Sequence, residues 1–309
     1  MSKPEVCVVM PVYNAAATLD ATIASVLDQS FGAFELIAVD DGSRDESLAR
    51  LTAQAARDPR IRVVSQKNFG VSATRNRGAE LSEAPLIAFI DADDIWRREK
   101  LERHVTLHRE EPDIAASYAR IAFIPEEAKS VDEGKTVSSL CPRSPRLIDV
   151  LGENPICTTS NLVVRRDWFV RSGGFDRALS FAEDQDFVAR LIVMGGRIEG
   201  VNAVLTGYRL SPGGLSMDLG AMHAGWRSVA QRYLEERELA PLEAVYYRYL
   251  ARRVLRAGGP PLQALRYVFA GLRSDPAAFL SDRRRGLSTL AAALTAPLLP
   301  MRLRLRLFA

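Results

Sequence analysis

Residues Ile87–Trp96 read IAFIDADDIW. An apolar run ends in three carboxylates, Asp91, Asp93 and Asp94. Carboxylates this close repel one another, and an ionised one held away from water without a partner is costly by solvation alone. The stretch therefore reads as a buried strand whose end is built to meet positive charge that the stretch itself lacks. On a strand, residues two apart share a face, so Asp91 and Asp93 point together and Asp94 points away unless the strand has already ended.

Working outward, short apolar runs alternate with helical spacing through the first third of the chain. Val6–Val12 reads as a strand, and Leu19, Ile23, Val26 and Leu27 then recur at helical intervals. Phe34–Val39 is a second strand, after which Ser43 and Glu46 have the spacing of a capping box opening a helix with Leu48, Leu51 and Ala55 inward. Ile61–Val64 is a third strand, 72–81 a helix, Leu86–Ile90 a fourth strand, and Leu101, Val105 and His108 mark another helix. Such β/α alternation predicts an open, mostly parallel α/β sheet with helices on both faces.

Ligands of such sheets bind beyond the carboxyl ends of the strands. Tyr13 and Asn14, then Asp40 and Asp41, then Asn68 to Asn76, then Asp91, Asp93 and Asp94 all fall at those ends. Paired carboxylates there form a hard oxygen site suited to Mg²⁺ or Mn²⁺, with substrate phosphates completing the shell. Further on, Pro125 to Pro145 is polar and predicts a mobile loop, Cys157–Val164 a strand and Asp184–Met194 a helix. Asp184 lies three, four and seven residues before Phe187, Val188 and Leu191, which puts it on their inward stripe at the first helical turn.

In order, VVMPVYNAAATLDATIASVLDQSF, ELIAVDDGSRDES, NFGVSATRNRG, FIDADDIW and FAEDQDF resemble the family 2 glycosyltransferases, over about residues 5–215. The resemblance implies a GT-A (Rossmann-like) fold and inverting transfer from a nucleotide-diphosphate sugar, with UDP the commonest carrier in the family. It implies a divalent metal on Asp93 with Asp91 beside it, and the nucleotide base near Pro11, Tyr13 and one of Asp40 and Asp41. Arg75, followed by Asn76, matches the family's basic position near the base or phosphates. Asp184, as the second acidic residue of the ED motif, matches the catalytic base, with Glu183 beside it. Asn161, with Thr159 and Ser160, falls in the segment that shapes the donor and acceptor side. Many relatives carry a histidine for metal or diphosphate where GYRLSPGGLS has Ser211; phosphate contact through that segment falls to Arg209 and Ser216, and no metal contact is expected from it. His104 and His108 are spaced i, i+4 on an ordinary amphipathic helix and read as packing residues.

The chain has 309 residues, 47% hydrophobic and 26% charged, enough for one large or two smaller domains. Three cysteines without ligand spacing indicate neither a disulfide framework nor a zinc site, and a reducing cytoplasm is expected. No run reaches the length of a membrane span, and the N-terminus does not resemble a secretory signal. From Arg227 to Ala309 there are fifteen Arg, no Lys and six Asp or Glu, a net of +9, which leaves −6 on the rest. A catalytic domain is therefore expected over 1–220 and a basic amphipathic helical region over 221–309. That region suits either an anionic membrane surface, at the inner face of the cell membrane, or a helical oligomer or packing interface; the Arg/Leu alternation of 302–307 also admits an edge strand. Nucleic acid is not the expected partner. A membrane-bound setting would make the acceptor a lipid-linked saccharide rather than a free one.

Three rivals have distinguishing features. A sugar-nucleotide pyrophosphorylase needs a glycine-rich loop where this chain has PVYNAAAT, and an aspartyl-nucleophile phosphatase carries its paired aspartates after the first strand. A non-catalytic nucleotide-sugar-binding regulator would lack the base, and Asp184 is present.

Overall fold

The computed structural model describes residues 3–140, 144–209 and 218–308. Ser211 and Ser216 lie outside the described residues. The chain forms two compact units: the first takes the residues up to Leu147 together with Pro155–Arg209, and the second takes Ile148–Asn154 with the described residues from 218 onward.

The first unit opens with β1 (Val6–Val12), α1 (Leu19–Leu27), β2 (Phe34–Asp40), α2 (Ser47–Ala55), β3 (Ile61–Ser65), α3 (Val71–Glu80) and β4 (Leu86–Phe89). After them come β5 (Ile95–Trp96), α4 (Lys100–Glu110), β6 (Ile114–Ile124), β7 (Thr136–Val137) and then, past α5 (Leu147–Glu153), which from Ile148 on belongs to the second unit, β8 (Val163–Arg165), α6 (Arg166–Ser172), α7 (Glu183–Val193) and β9 (Arg197–Arg209). The strands run β3-β2-β1-β4-β8-β6-β9-β5 across one sheet, with β7 beside β6. Pairing is parallel within β3-β2-β1-β4 and between β6 and β9, whereas β8 runs antiparallel between β4 and β6 and β5 antiparallel to β9. Helices cover both faces of the parallel part, so β1 is a continuous apolar run with Val6 to Met10 wholly buried. α3 packs so closely on β1 that a Cβ on Gly78 would meet Val9 Cγ1 at 2.4 Å.

Three local expectations are corrected. α2 begins at Ser47, and the Ser43–Glu46 capping box does not form: Ser43 Oγ accepts from Asn14 N, while Asp45 Oδ1 accepts from Ser47 N. Leu48 consequently faces outward, 36% exposed. Part of 125–145 is regular, because Ser130 caps a 3₁₀ turn at Val131–Glu133 and β7 pairs with β6. Of the strand expected over 157–164 only Val163 and Val164 join the sheet, within Val163–Arg165, and Thr159–Asn161 forms a 3₁₀ turn capped by Thr158.

The second unit contains α8 (Leu219–Ala230), α9 (Glu236–Arg256), α10 (Pro261–Ser274), α11 (Pro276–Phe279), α12 (Arg283–Thr295) and α13 (Met301–Phe308). Trp226, Tyr246, Leu250, Val268 and Phe279 lie in its core, with Trp226 and Tyr246 stacked at 4.7 Å. Residues 302–307 are helical, which removes the edge-strand reading: Arg and Leu are strong helix formers, and the segment has no β-branched residue. Among the described residues no helix is long and apolar enough to cross a membrane.

Candidate active site

Arg75 sits on α3 with only 4% of its side chain exposed. Its Nη2 donates to Asp91 Oδ1 at 2.6 Å and its Nη1 to Glu183 Oε1 at 2.8 Å. One guanidinium therefore fastens the aspartates after β4 to the acidic start of α7. Burial alone would lower its pKa, but the charges of Asp91 and Glu183 raise it above the ordinary arginine value. Planar, permanently charged and forked, arginine can hold two carboxylates at once.

β4 ends at Phe89, so the aspartates occupy a turn, closed by a hydrogen bond from Asp94 N to Asp91 O. Ser160 Oγ, from the 3₁₀ turn, accepts from Asp91 N at 2.9 Å. Asp94 is buried and accepts from Arg209 N. Burial, and then the charge of Asp91, push the Asp93 carboxyl up to about 6. Asp94 is raised too, by burial first and then by the charge of Asp93.

α7 starts after Ala182, whose φ of 59° lies in the left-handed region that non-glycine residues seldom occupy. Glu183 and Asp184 occupy its first turn, and Phe187 behind them packs on Phe175 at 4.6 Å, which itself meets Phe89 edge-on at 5.2 Å. This aromatic cluster joins the end of β4 to the base of α7. Gly174 lets the chain pass: its φ is +70°, and a Cβ there would lie 2.5 Å from Asn76 Oδ1. Asn76 in turn brackets Phe175 through both backbone groups. Asp184 is pushed up to about 7 by burial and then by Glu183, and it also feels Arg75 and Asp91. A carboxyl poised near neutrality is suited to accepting a proton.

At the ends of β1 and β2, Pro11 is partly exposed and Tyr13 is 48% exposed. Asp40 and Asp41 are both buried. Asp40 accepts from Ser43 N and Ser65 Oγ, and Asp41 from Phe69 N, Gly70 N and Gln66 Nε2. Both carboxylates therefore shape loops, and Asp41 opens α3. Phe69, 65% exposed at the end of the β3 loop, was not singled out from the sequence; its signal was an aromatic residue between the Asn and Gly of a polar loop.

Several expected ligand contacts are already taken up within the protein. Arg75 donates from each terminal nitrogen to a carboxylate and so bridges Asp91 and Glu183. Asn161 is buried with its amide on β6: Oδ1 accepts from Ala119 N, and Nδ2 donates to Ala119 O and Ile156 O. Both of its amide hydrogens are thereby used within the protein. Arg209 is buried, donating from Nε to Asp93 O at 2.6 Å and from Nη1 to Ala128 O and Glu126 O. It latches the aspartate turn to the loop after β6. His104 and His108 are buried and share Ser117 Oγ, at 2.7 and 2.9 Å.

The donor set suits a hard divalent cation. Asp91 and Asp93 offer carboxylate oxygens at one turn, and the Asp93 carboxyl is raised by burial first and then by the charge of Asp91. Among the described residues no three acidic, histidine or cysteine side chains form a complete cage. A cation there would need further oxygens from its ligand, which is how Mg²⁺ is commonly held with phosphates.

The sequence matches the family model for glycosyl transferase family 2 over residues 7–173. It is 29% identical over 243 residues to TuaG of Bacillus subtilis (strain 168), a glycosyltransferase named for teichuronic acid biosynthesis, covering 78% of this chain and 90% of that one. The succinoglycan biosynthesis protein ExoU of Rhizobium meliloti (strain 1021) is 31% identical over 245 residues, 73% of this chain and 69% of that one. Among solved structures, residues 1–349 of S. aureus TarS bound to UDP-GlcNAc have a TM-score of 0.61 at 18% identity, covering 94% of this chain and 90% of that fragment. The mannosyltransferase PcManGT of Pyrobaculum calidifontis, with GDP-Man and Mn²⁺, has a TM-score of 0.55 at 19% identity, covering 99% and 79%. These structural likenesses are likenesses of fold, and the fold is GT-A. With the family model spanning more than half of the chain and ExoU alike over more than two-thirds of both proteins, this chain belongs to glycosyltransferase family 2.

Proposed function

We propose that this glycosyltransferase transfers a sugar from a nucleotide-diphosphate donor, a UDP-sugar in the first instance, to an acceptor hydroxyl with inversion. The acceptor is a saccharide or lipid-linked saccharide in the assembly of a cell-surface polysaccharide or glycolipid, a setting supported by relatives named for teichuronic acid and succinoglycan biosynthesis. The single observation that carries the reading is the Arg75 bridge, which holds Asp91 and the acidic start of α7 together.

In this reading the first unit carries the chemistry. Pro11 and Tyr13 line the nucleotide base, and Asp40 and Asp41 hold the loops around it. Mg²⁺ or Mn²⁺ on Asp93 and Asp91 would supply Lewis-acid neutralisation of the departing nucleotide diphosphate. Asp184 accepts the proton of the acceptor hydroxyl as that oxygen bonds to the anomeric carbon and the bond to the diphosphate breaks. One displacement inverts the configuration, and no covalent intermediate forms. Arg75 holds Asp91 and Glu183 in place through its two ion pairs, and Arg209 holds the Asp93 backbone. The proposed compartment is the cytoplasm.

The test is nucleotide release from a panel of UDP-, GDP- and dTDP-sugars with Mn²⁺ or Mg²⁺, with and without a lipid extract as acceptor source. Metal-dependent release from one donor supports the reading. Tight donor binding without turnover under every acceptor condition would favour a non-catalytic sugar-nucleotide regulator.

A further inference from the structure

On α12, Gly286, Thr289 and Ala293 face the core of the second unit. The opposite face of a water-exposed helix is ordinarily polar. Here Leu287, Leu294 and Leu298, at helical spacing along α12 and the 3₁₀ turn that continues it, are 56%, 51% and 83% exposed. Arg283 and Arg284 stand exposed at the start of that stripe. α10 repeats the pattern: Leu262, Arg266, Phe269 and Arg273 are exposed at i, i+4, i+7 and i+11, with Leu262 at 65% and Phe269 at 59%.

Charge identifies the partner. Residues 260–309 contain eight arginines and two carboxylates, Asp275 and Asp282. Both carboxylates serve as helix caps, accepting from Ala278 N and Arg285 N. Arg285 is paired with Glu153 and Asp282, and the exposed apolar stripes are accompanied by net positive charge that includes the exposed Arg266, Arg273, Arg283 and Arg284. The same face of a second copy would bring like charge against like charge, whereas an anionic lipid surface supplies headgroups for the guanidinium groups and acyl chains for the leucines. Arginine also extends its apolar stem along such a boundary while its head stays at the phosphates.

We infer that the exposed faces of α12 and α10 form a peripheral docking surface for an anionic phospholipid bilayer. The inference stands on the second unit alone and is independent of the transfer chemistry.

Flotation of the full chain with phosphatidylcholine vesicles, with and without one-quarter phosphatidylglycerol, tests it. Binding is expected to be at least tenfold stronger to the anionic vesicles and to weaken with added salt. Leu294→Glu with Leu298→Glu, and separately Arg283→Ala with Arg284→Ala, should each reduce it at least tenfold. All four positions are exposed, so both variants should keep the parent melting temperature. No binding to anionic vesicles would overturn the inference, as would equal binding by both variants. Concentration-dependent dimerisation abolished by these variants, without vesicle binding, would assign the surface to a second copy instead.

Discussion

Arg75 and Glu183, 108 positions apart in the chain, meet in a buried ion pair of 2.8 Å, and the same guanidinium holds Asp91 at 2.6 Å. The bridge makes one site of two acidic segments that would otherwise repel. Removing one partner of a buried pair leaves the other charge uncompensated. Arg75→Gln is therefore expected to cost about 3–5 kcal/mol in urea unfolding and to lower sugar transfer by at least about tenfold. Arg75→Lys should rescue little, because one ammonium does not match both carboxylates. An unchanged unfolding midpoint in Arg75→Gln would contradict the bridging role.

The pH profile reports on Asp184. A base pushed up to about 7 is protonated below that value, so kcat/KM should fall about tenfold per pH unit on the acid side and level off above. Asp184→Asn should lose a factor of about 10²–10⁴ and the acid limb with it. A wild-type profile flat across neutrality would argue against Asp184 as the base.

Asn161 should behave as a structural bracket. Its amide makes three hydrogen bonds to buried backbone groups of β6 and the preceding loop, so Asn161→Ala is expected to destabilise the protein by about 2–3 kcal/mol. The donor KM should stay within about twofold. A large rise in KM with unaltered stability would return Asn161 to the sugar-binding role.

Lys100 is wholly buried, its Nζ lying 3.3 Å from His104 Nε2 and 3.3 Å from Asn161 O, and burial pushes it down to about 7. An unfolded lysine titrates at about 10.4. Between those values the unfolded chain binds the extra proton, so this group's contribution makes stability rise with pH from about 7 to about 10. Below about 7 the full burial penalty is present. Lys100→Met is expected to stabilise by about 2 kcal/mol near neutrality, with the gain fading towards about pH 10. Thermal melts of both proteins across that range check the sign, and a gain that grows with pH would refute it.

Much of this architecture was legible because it depends on local patterns. Apolar runs such as Val6–Val12 and helical spacing such as Leu101, Val105 and His108 are governed by burial within one element, and they appear as expected. The gathering of polar residues at strand ends follows from the parallel order. Partnerships between distant segments were not legible. Nothing near Arg75 announces Glu183, and nothing near Asn161 announces Ala119 on β6. The same holds for Ser43, whose hydroxyl serves Asn14 rather than its own helix. Five-donor arginines and buried amides take partners wherever the fold leaves backbone or carboxylate unpaired, and that is decided by the assembled sheet.

The division of labour among the carboxylates is tested most directly by measuring donor binding and donor turnover together in Asp184→Asn and Asp93→Asn. The expected result is that Asp184→Asn binds the nucleotide sugar with metal as the parent does but turns it over at least about 10²-fold more slowly, while Asp93→Asn loses metal-dependent binding itself. Parent-like turnover by Asp184→Asn, or loss of binding in that variant with metal dependence intact in Asp93→Asn, would contradict the account.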